Sequence, residues 1–254
     1  MWDVVWVTMA AGLAGFVDAI VGGGGLILVP VMFSVFPAAA PASLFGTNKA
    51  AAVWGTAWAT GQYAQRVRMN WATLLPAALV AALASLLGAW AVTVVPSGGL
   101  RKALPVILLL LLLYTLLRKD LGRVHQPMHE AAGERWRAVL VAAAIGAYDG
   151  FFGPGTGSFF VFLFVRWLGY DFLHASAAAK LLNTATNLAA LALFAAKGHV
   201  WWWMALPMAL ANVLGSLLGA RLALRRGAGF VRGVFLVVVG LLILRTGFDA
   251  WRLP

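Results

Sequence analysis

The sequence predicts an all-α, polytopic membrane protein made of two inverted repeats, each with about five hydrophobic segments, the second segment short and preceded by a glycine cluster. Three observations lead there. First, of 254 residues 63% are apolar and 11% charged, with a mean hydropathy of +0.90, whereas a soluble fold carries about 25% charged residues. Second, the chain repeats itself at a fixed offset. Third, apolar runs of membrane length are punctuated by cationic loops. Nineteen Lys and Arg against eight Asp and Glu give a net charge of +11. In a soluble chain that excess would point to nucleic acid. Here it lies mostly between apolar runs, sets topology, and implies no nucleic-acid partner. The absence of cysteine excludes disulfides, thiol catalysis and Cys-ligated metals. Met1-Trp2-Asp3 offers no basic leader region, so the first segment is expected to be a retained helix.

A shift of 131 residues aligns the chain on itself without a gap. Asp18 falls on Asp149, Gly22 on Gly153, Gly24 on Gly155 and Lys49 on Lys180. Trp71 falls on Trp202, Pro76 on Pro207 and Arg101 on Arg232. Matches of Leu and Ala come easily in this composition; matches of Asp, Lys, Pro and Trp in one register do not. Repeat one is expected at 1–117, a linker at 118–135 and repeat two at 136–254.

The first repeat reads as segments at about 2–20, 25–36, 42–65, 71–95 and 99–117. The second reads as 136–152, 157–168, 174–196, 201–224 and 228–246. A full crossing takes about 20 helical residues, and the second segment of each half has only about 12. It follows Gly22-Gly23-Gly24-Gly25 or Gly153-Pro154-Gly155-Thr156-Gly157. Segments one and two are therefore predicted to form a returning pair, which gives each half an odd number of net crossings. Under that topology one side receives 12 basic residues, from Arg66 through Arg232, and the other receives 5: Arg101, Lys102, Lys197, Arg245 and Arg252. A single broken crossing would give 10 against 7. The positive-inside rule selects the sharper split, with the linker cytoplasmic and both termini outside. The linker mixes signs and reads as a tether.

Four ionisable residues fall in apolar or glycine-rich surroundings: Asp18, Lys49, Asp149 and Lys180. A charge near the bilayer midplane costs about 2.5–3.5 kcal/mol on insertion scales, so Asp–Lys pairing is expected, within a half or across halves. The pairs admit two readings: a structural lock, or a substrate or proton site on a transport pathway. The glycine clusters favour the second. Glycine allows close backbone approach, and a short helix starting at Gly25 or Gly157 would aim its N–H groups and positive dipole end at an anion. Gly23, Gly24, Gly25, Gly155, Thr156 and Gly157 are therefore candidate binding residues. In the third segment, Ser176, Lys180, Asn183, Thr184 and Asn187 form one helical stripe, and Thr47-Asn48-Lys49 opens its counterpart. Amides and hydroxyls beside a lysine suit an oxyanion. They suit interhelical contacts of about 0.6 kcal/mol each equally well.

Trp71 and Trp201-Trp202-Trp203 open equivalent helices and are expected at the membrane interface. Pro76 and Pro207 fall within helices and would kink them. Among His125, His129, His174 and His199 no pair has metal-ligand spacing, so neither a metal nor a cofactor is expected.

The run Gly15-Phe16-Val17-Asp18 through Gly22-Gly23-Gly24-Gly25-Leu26-Ile27-Leu28-Val29-Pro30, followed by Gly46-Thr47-Asn48-Lys49-Ala50-Ala51, resembles the TauE/SafE sulfite exporter family. So does the second set of Asp149, Gly153-Pro154-Gly155-Thr156-Gly157 and Ala179-Lys180-Leu181-Leu182-Asn183 with Asn187. The resemblance covers essentially the whole chain. It implies a bacterial or archaeal inner-membrane carrier of small sulfur-containing anions (sulfite, sulfoacetate or other organosulfonates), with export the expected direction and alternating access around a midplane site. A homodimer is compatible with that reading. Lys49 and Lys180 would offset substrate charge, Thr47, Asn48, Asn183 and Asn187 would donate hydrogen bonds, and Asp18 and Asp149 would orient lysines, cap helices or carry protons. The halves differ where Ala52 and Thr56 stand opposite Asn183 and Asn187. An anion channel of the same topology is the alternative. An intramembrane hydrolase built on Ser158 is a remote third, because no histidine lies at mid-membrane depth to serve as its base.

Overall fold

The computed structural model describes residues 2–94, 122, 125–127 and 130–252. The segment expected at 99–117 and most of the linker lie outside the described residues. The first half contributes α1 (Trp2–Val21), α2 (Gly24–Val35), α3 (Pro41–Ala64) and α4 (Trp71–Val92). The second contributes α5 (Ala131–Phe151), α6 (Thr156–Leu163), continued by a π-helical turn at Phe164–Leu168, and α7 (Phe172–Ala196). The last helical stretch, Trp202–Arg252, is broken by Gly227 at φ 75, ψ −171. It forms two helices, α8 (202–226) and α9 (228–252). The described residues contain no strand.

The 131-residue offset holds to the residue for two helix pairs, α3 at Pro41 with α7 at Phe172 and α4 at Trp71 with α8 at Trp202, and within two residues for the starts of the other two. Local chemistry sets these starts. Pro41 sits in the first turn of α3, where its missing N–H costs nothing. The Asp171 carboxylate caps α7 by accepting the His174 N–H at 2.7 Å. Two boundaries differ from the expectation by more than three residues: the last helix reaches Arg252, against 246, and the start of α5 differs as well. α5 begins at Ala131 behind an extended Glu130, five residues earlier than 136, because Glu134, Arg135 and Arg137 are good helix formers that need no apolar surroundings.

Small residues set the packing. Gly15 of α1 lies against Asn212 of α8, and Gly215 and Gly219 of α8 lie against Gly12 and Phe16 of α1. The second copy of this contact puts Gly146 of α5 against Ala81 of α4 and Gly150 against Ser85. Numbers rise together along both pairs, so the first helix of each half runs parallel to the fourth helix of the other. By the same test α3 runs parallel to α8, with Gly46 at His199 and Gly55 at Asn212 and Ser216. α4 runs parallel to α7 through Ser85–Thr186 and Thr93–Lys197 hydrogen bonds.

These directions fix the topology. α3 and α4 are joined by residues 65–70, a loop that spans at most about 24 Å, while α4 is about 33 Å long. α4 therefore runs back alongside α3. It follows that α7, parallel to α4, is antiparallel to α3, as the Lys49–Asn187 and Thr60–Thr184 contacts also require. α3 and α7 are the same element in two copies, so the repeats are inverted. α1 and α3 share one direction, so α2 returns the chain, as the loop charges anticipated.

Among the described residues, four helical stretches have the length and hydropathy to cross a membrane: Trp2–Val21, Trp71–Val92, Phe172–Ala196 and Trp202–Val238. Leu75, Leu79, Leu83 and Leu87 form an exposed stripe on α4, matched by Leu206, Leu210, Leu214 and Leu218 on α8. Stripes of this width suit acyl chains. Trp71, Trp202 and Trp203 are exposed at helix starts, and Pro76 and Pro207 lie inside α4 and α8.

Candidate functional site

The site begins with two turns that touch. α1 ends at Asp18–Val21, and Gly22 turns the chain at φ +78. A Cβ on Gly22 would come within 2.3 Å of the Gly157 Cα, and one on Gly157 would meet the Gly22 backbone as closely. Only glycine permits that approach. The Gly22 carbonyl accepts the Ser158 N–H at 3.1 Å, and the Ser158 hydroxyl donates to the Val21 carbonyl at 3.1 Å. The two glycine clusters are thus stitched back to back inside the protein. Neither Gly23 before α2 nor Gly155 before α6 supplies a side-chain cap.

Both Asp–Lys pairs form across the halves. Lys49 Nζ lies 2.5 Å from Asp149 Oδ2 and 2.9 Å from Asn187 Oδ1. Lys180 Nζ lies 2.7 Å from Asp18 Oδ2 and 2.5 Å from the Asp18 carbonyl. The other Asp18 oxygen accepts the Gly24 N–H at 3.3 Å, so one amide expected to face a guest is already occupied. Partnership makes the burial of these charges tolerable.

A cavity of about 30 Å³ opens where the turns meet α3 and α7. At roughly 10–15 Å³ per water molecule, it has room for two or three waters. Lys49, Asn48, Asn183 and Asn187 line it together with Asp18 and Asp149. Backbone lining comes from Gly24, Gly25, Gly155, Thr156 and Gly157. Three expected residues do not line it. Lys180 is 0% exposed and sealed behind Asp18. Gly23 is the buried residue before α2. Thr47 ties helices together, its hydroxyl donating to the Ser43 carbonyl at 2.7 Å and accepting the Trp201 N–H at 3.0 Å.

Asn212 of α8 also lines the cavity, with its amide donating to the Ala11 carbonyl at 3.0 Å. Sequence reasoning passed over it because its counterpart, Ala81, is apolar and breaks the duplication. An asparagine isolated in an apolar helix was the available signal. Ser158 is fully buried and bonded to backbone, which suits a fastening between turns.

Lys49 is the one cation on the cavity wall among the described residues. An ammonium has three donors, and Asp149 and Asn187 take two of Lys49's. Around it stand four asparagine side chains, Asn48, Asn183, Asn187 and Asn212, and two loops of glycine backbone, which bring further N–H donors to the cavity.

Comparison with known proteins adds the following. The family model described as "Sulfite exporter TauE/SafE" matches residues 7–246. A Sinorhizobium "Probable membrane transporter protein ORF9" is 38% identical over 237 residues, covering 93% of this chain and 89% of that one. The Escherichia coli K12 "Probable membrane transporter protein YfcA" is 33% identical, with 94% and 88% covered. A Haemophilus influenzae "Probable membrane transporter protein" is 31% identical, with 97% and 96% covered. No solved structure matches the chain.

Proposed function

This chain belongs to the sulfite exporter TauE/SafE family and is a multi-pass membrane transporter, not an enzyme, and from that premise we propose that it exports a small sulfur-containing oxyanion (sulfite, sulfoacetate or another organosulfonate) by alternating access. The single observation that carries this reading is Lys49 on the wall of a buried cavity between two inverted glycine turns, held by Asp149 and Asn187.

Asp18 and Asp149 both line the cavity and Lys49 is its one cation among the described residues, so an anion can be held there only by engaging the Lys49 ammonium. A substrate oxyanion competes with the Asp149 carboxylate for the same ammonium, while Asn48, Asn183 and Asn187 offer further N–H donors. Once the anion holds the ammonium, the buried Asp149 carboxylate needs a proton or a new hydrogen-bond partner, because an unpaired buried charge is costly. A volume of about 30 Å³ is too small for a sulfonate, so loading requires the helices to part. Inverted repeats supply the motion, one half rocking against the other around the central site. The split of 12 basic loop residues against 5 supports an inner-membrane orientation with the 118–135 linker cytoplasmic and both termini outside.

Flux in proteoliposomes tests the site. Lys49→Ala is expected to abolish transport of the cognate anion; undiminished flux through folded Lys49→Ala protein overturns the assignment. A thermal-shift screen of sulfite, sulfoacetate, taurine, thiosulfate and sulfate identifies the substrate class, since a ligand that binds only the folded state raises its stability. Stabilisation by none of the sulfur oxyanions, with stabilisation by an unrelated anion, overturns the substrate class and leaves the site standing.

A further inference from the structure

A second cluster of polar groups lies apart from the transport cavity, at the start of α7. His125 of the linker stacks on His174, with ring centroids 3.9 Å apart and an interplanar angle of 18°. Asp171, which caps α7 through the His174 N–H, also holds His174 Nδ1 at 2.9 Å through its second oxygen. One ligating atom from each of His125, Asp171 and His174 lies within 4.8 Å of the other two. His125 Nδ1 is shielded from solvent and has no hydrogen-bond partner among the described residues, an arrangement that costs stability unless something occupies that lone pair. We propose that His125, Asp171 and His174 form a binding site for one divalent transition-metal ion of the zinc class, which fastens the linker to the start of α7.

The chemistry suits such an ion. Two imidazoles and a carboxylate are ligands for borderline cations such as Zn²⁺ and Co²⁺, and leave room for water in the remaining position. Ligands of a tetrahedral zinc ion stand roughly 3.3 Å apart at the usual bond lengths, so metal binding requires His125 to turn out of its parallel stack on His174 and direct its lone pair at the shared ion. The linker brings it there by two backbone bonds: Gln126 N–H to the Gly169 carbonyl at 2.9 Å and Phe172 N–H to the Gly122 carbonyl at 2.9 Å.

Another carboxylate lies close by. Buried Glu134 accepts from Tyr170 Oη at 2.6 Å and from Asn70 Nδ2 at 3.0 Å. It lines, with His125, His174 and Arg68, a cavity of about 180 Å³. The residues lie too far apart in sequence for motif spacing to reveal them: 125, 171 and 174 belong to two separate segments.

The test uses tag-free, full-length protein in detergent, stripped with a chelator and titrated with Co²⁺ for its visible absorption, then with Zn²⁺ against a chromophoric competitor. The wild type is expected to take up one ion per chain. His125→Ala and His174→Ala are each expected to weaken binding at least a hundredfold, with His199→Ala unchanged. Melting of metal-free variants checks folding, and His125→Gln, a linker substitution, stands in if His174→Ala does not fold. No uptake by the wild type, or uptake by His125→Ala and His125→Gln equal to wild type, overturns the proposal. Anion flux is not the readout, so the outcome is independent of the transport reading.

Discussion

Lys49 and Lys180 occupy equivalent positions in the two repeats, yet their surroundings have diverged. Lys49 binds a side-chain carboxylate and a side-chain amide and borders a cavity. Lys180 binds both the carboxylate and the carbonyl of Asp18 and has no exposed surface. One substitution pair accounts for much of the difference. Asn187 reaches across to Lys49, while its counterpart Thr56 turns its hydroxyl back onto the Ala52 and Val53 carbonyls of its own helix. Without an amide from the facing helix, Lys180 takes its second bond from the backbone at the end of α1. Duplication creates two sites of equal potential. Side-chain divergence then seals one inside the protein and leaves the other bordering a cavity.

The largest effect expected from this contrast is on stability. Asp18→Ala strands a fully buried ammonium and is expected to destabilise the protein by about 3–5 kcal/mol. Asp149→Ala leaves Lys49 with Asn187 and cavity water, and its cost should be clearly smaller. The 12 tryptophans make intrinsic fluorescence a direct monitor of thermal unfolding in detergent. Equal losses of melting temperature in the two variants would break the comparison.

Transport should reverse that order. The neutral pair Lys49→Met with Asp149→Asn is expected to reduce sulfur-oxyanion flux at least a hundredfold, a loss of about 2.7 kcal/mol of transition-state stabilisation. The matching pair Lys180→Met with Asp18→Asn removes a buried ion pair without stranding either charge, and flux should stay within about threefold of wild type. Equivalent losses from both double variants would mean that the repeats share the work evenly.

The glycine turns extend the contrast from side chains to backbone. Gly22→Ala drives a methyl group into the Gly157 backbone at 2.3 Å, from a φ of +78. The expected cost is about 1–3 kcal/mol, the range for overpacking in a close-packed interior. Gly25→Ala meets Pro154 at 3.5 Å, an ordinary contact, and should shift stability by no more than about 0.5 kcal/mol. Thermal melts of the two variants separate turns that must touch from turns that merely lie near.

Much of this was legible in the sequence because duplication is a spacing signal and membrane burial is a composition signal. The 131-residue offset located four helix pairs, and loop charge alone argued for inversion before any helix direction was known. The pairing of Asp with Lys followed from the cost of an isolated charge in lipid. What the sequence left hidden depends on side-chain direction and long-range contact. Nothing in the spacing of Lys180 distinguished a sealed lysine from one on a cavity wall. Thr47 reads as a donor on a polar stripe, yet it is consumed in joining α3 to the start of α8. Asn212 lies outside the repeat pattern, and His125 meets His174 only because the linker folds back. These are properties of three-dimensional neighbours, to which periodicity is blind.

The smallest expected effect tests the origin of the divergence itself. Asn187 shares the Lys49 ammonium with Asp149, and a hydrogen bond to a charged group is worth about 1.5–3 kcal/mol when intact. Part of that value is recovered in Asn187→Ala, because cavity water can solvate Lys49 in its place. Apparent anion affinity should therefore fall about fivefold to tenfold, roughly 1–1.4 kcal/mol, with folding preserved. Thr56→Ala removes a hydroxyl that bonds only its own helix, and affinity should hold within about twofold. The substrate concentration at half-maximal flux measures both. A larger loss from Thr56→Ala than from Asn187→Ala would mean that the amide is not what sets Lys49 apart, and the asymmetry would then have to originate in Asn183 or Asn212, cavity side chains that stand opposite Ala52 and Ala81 in the first repeat.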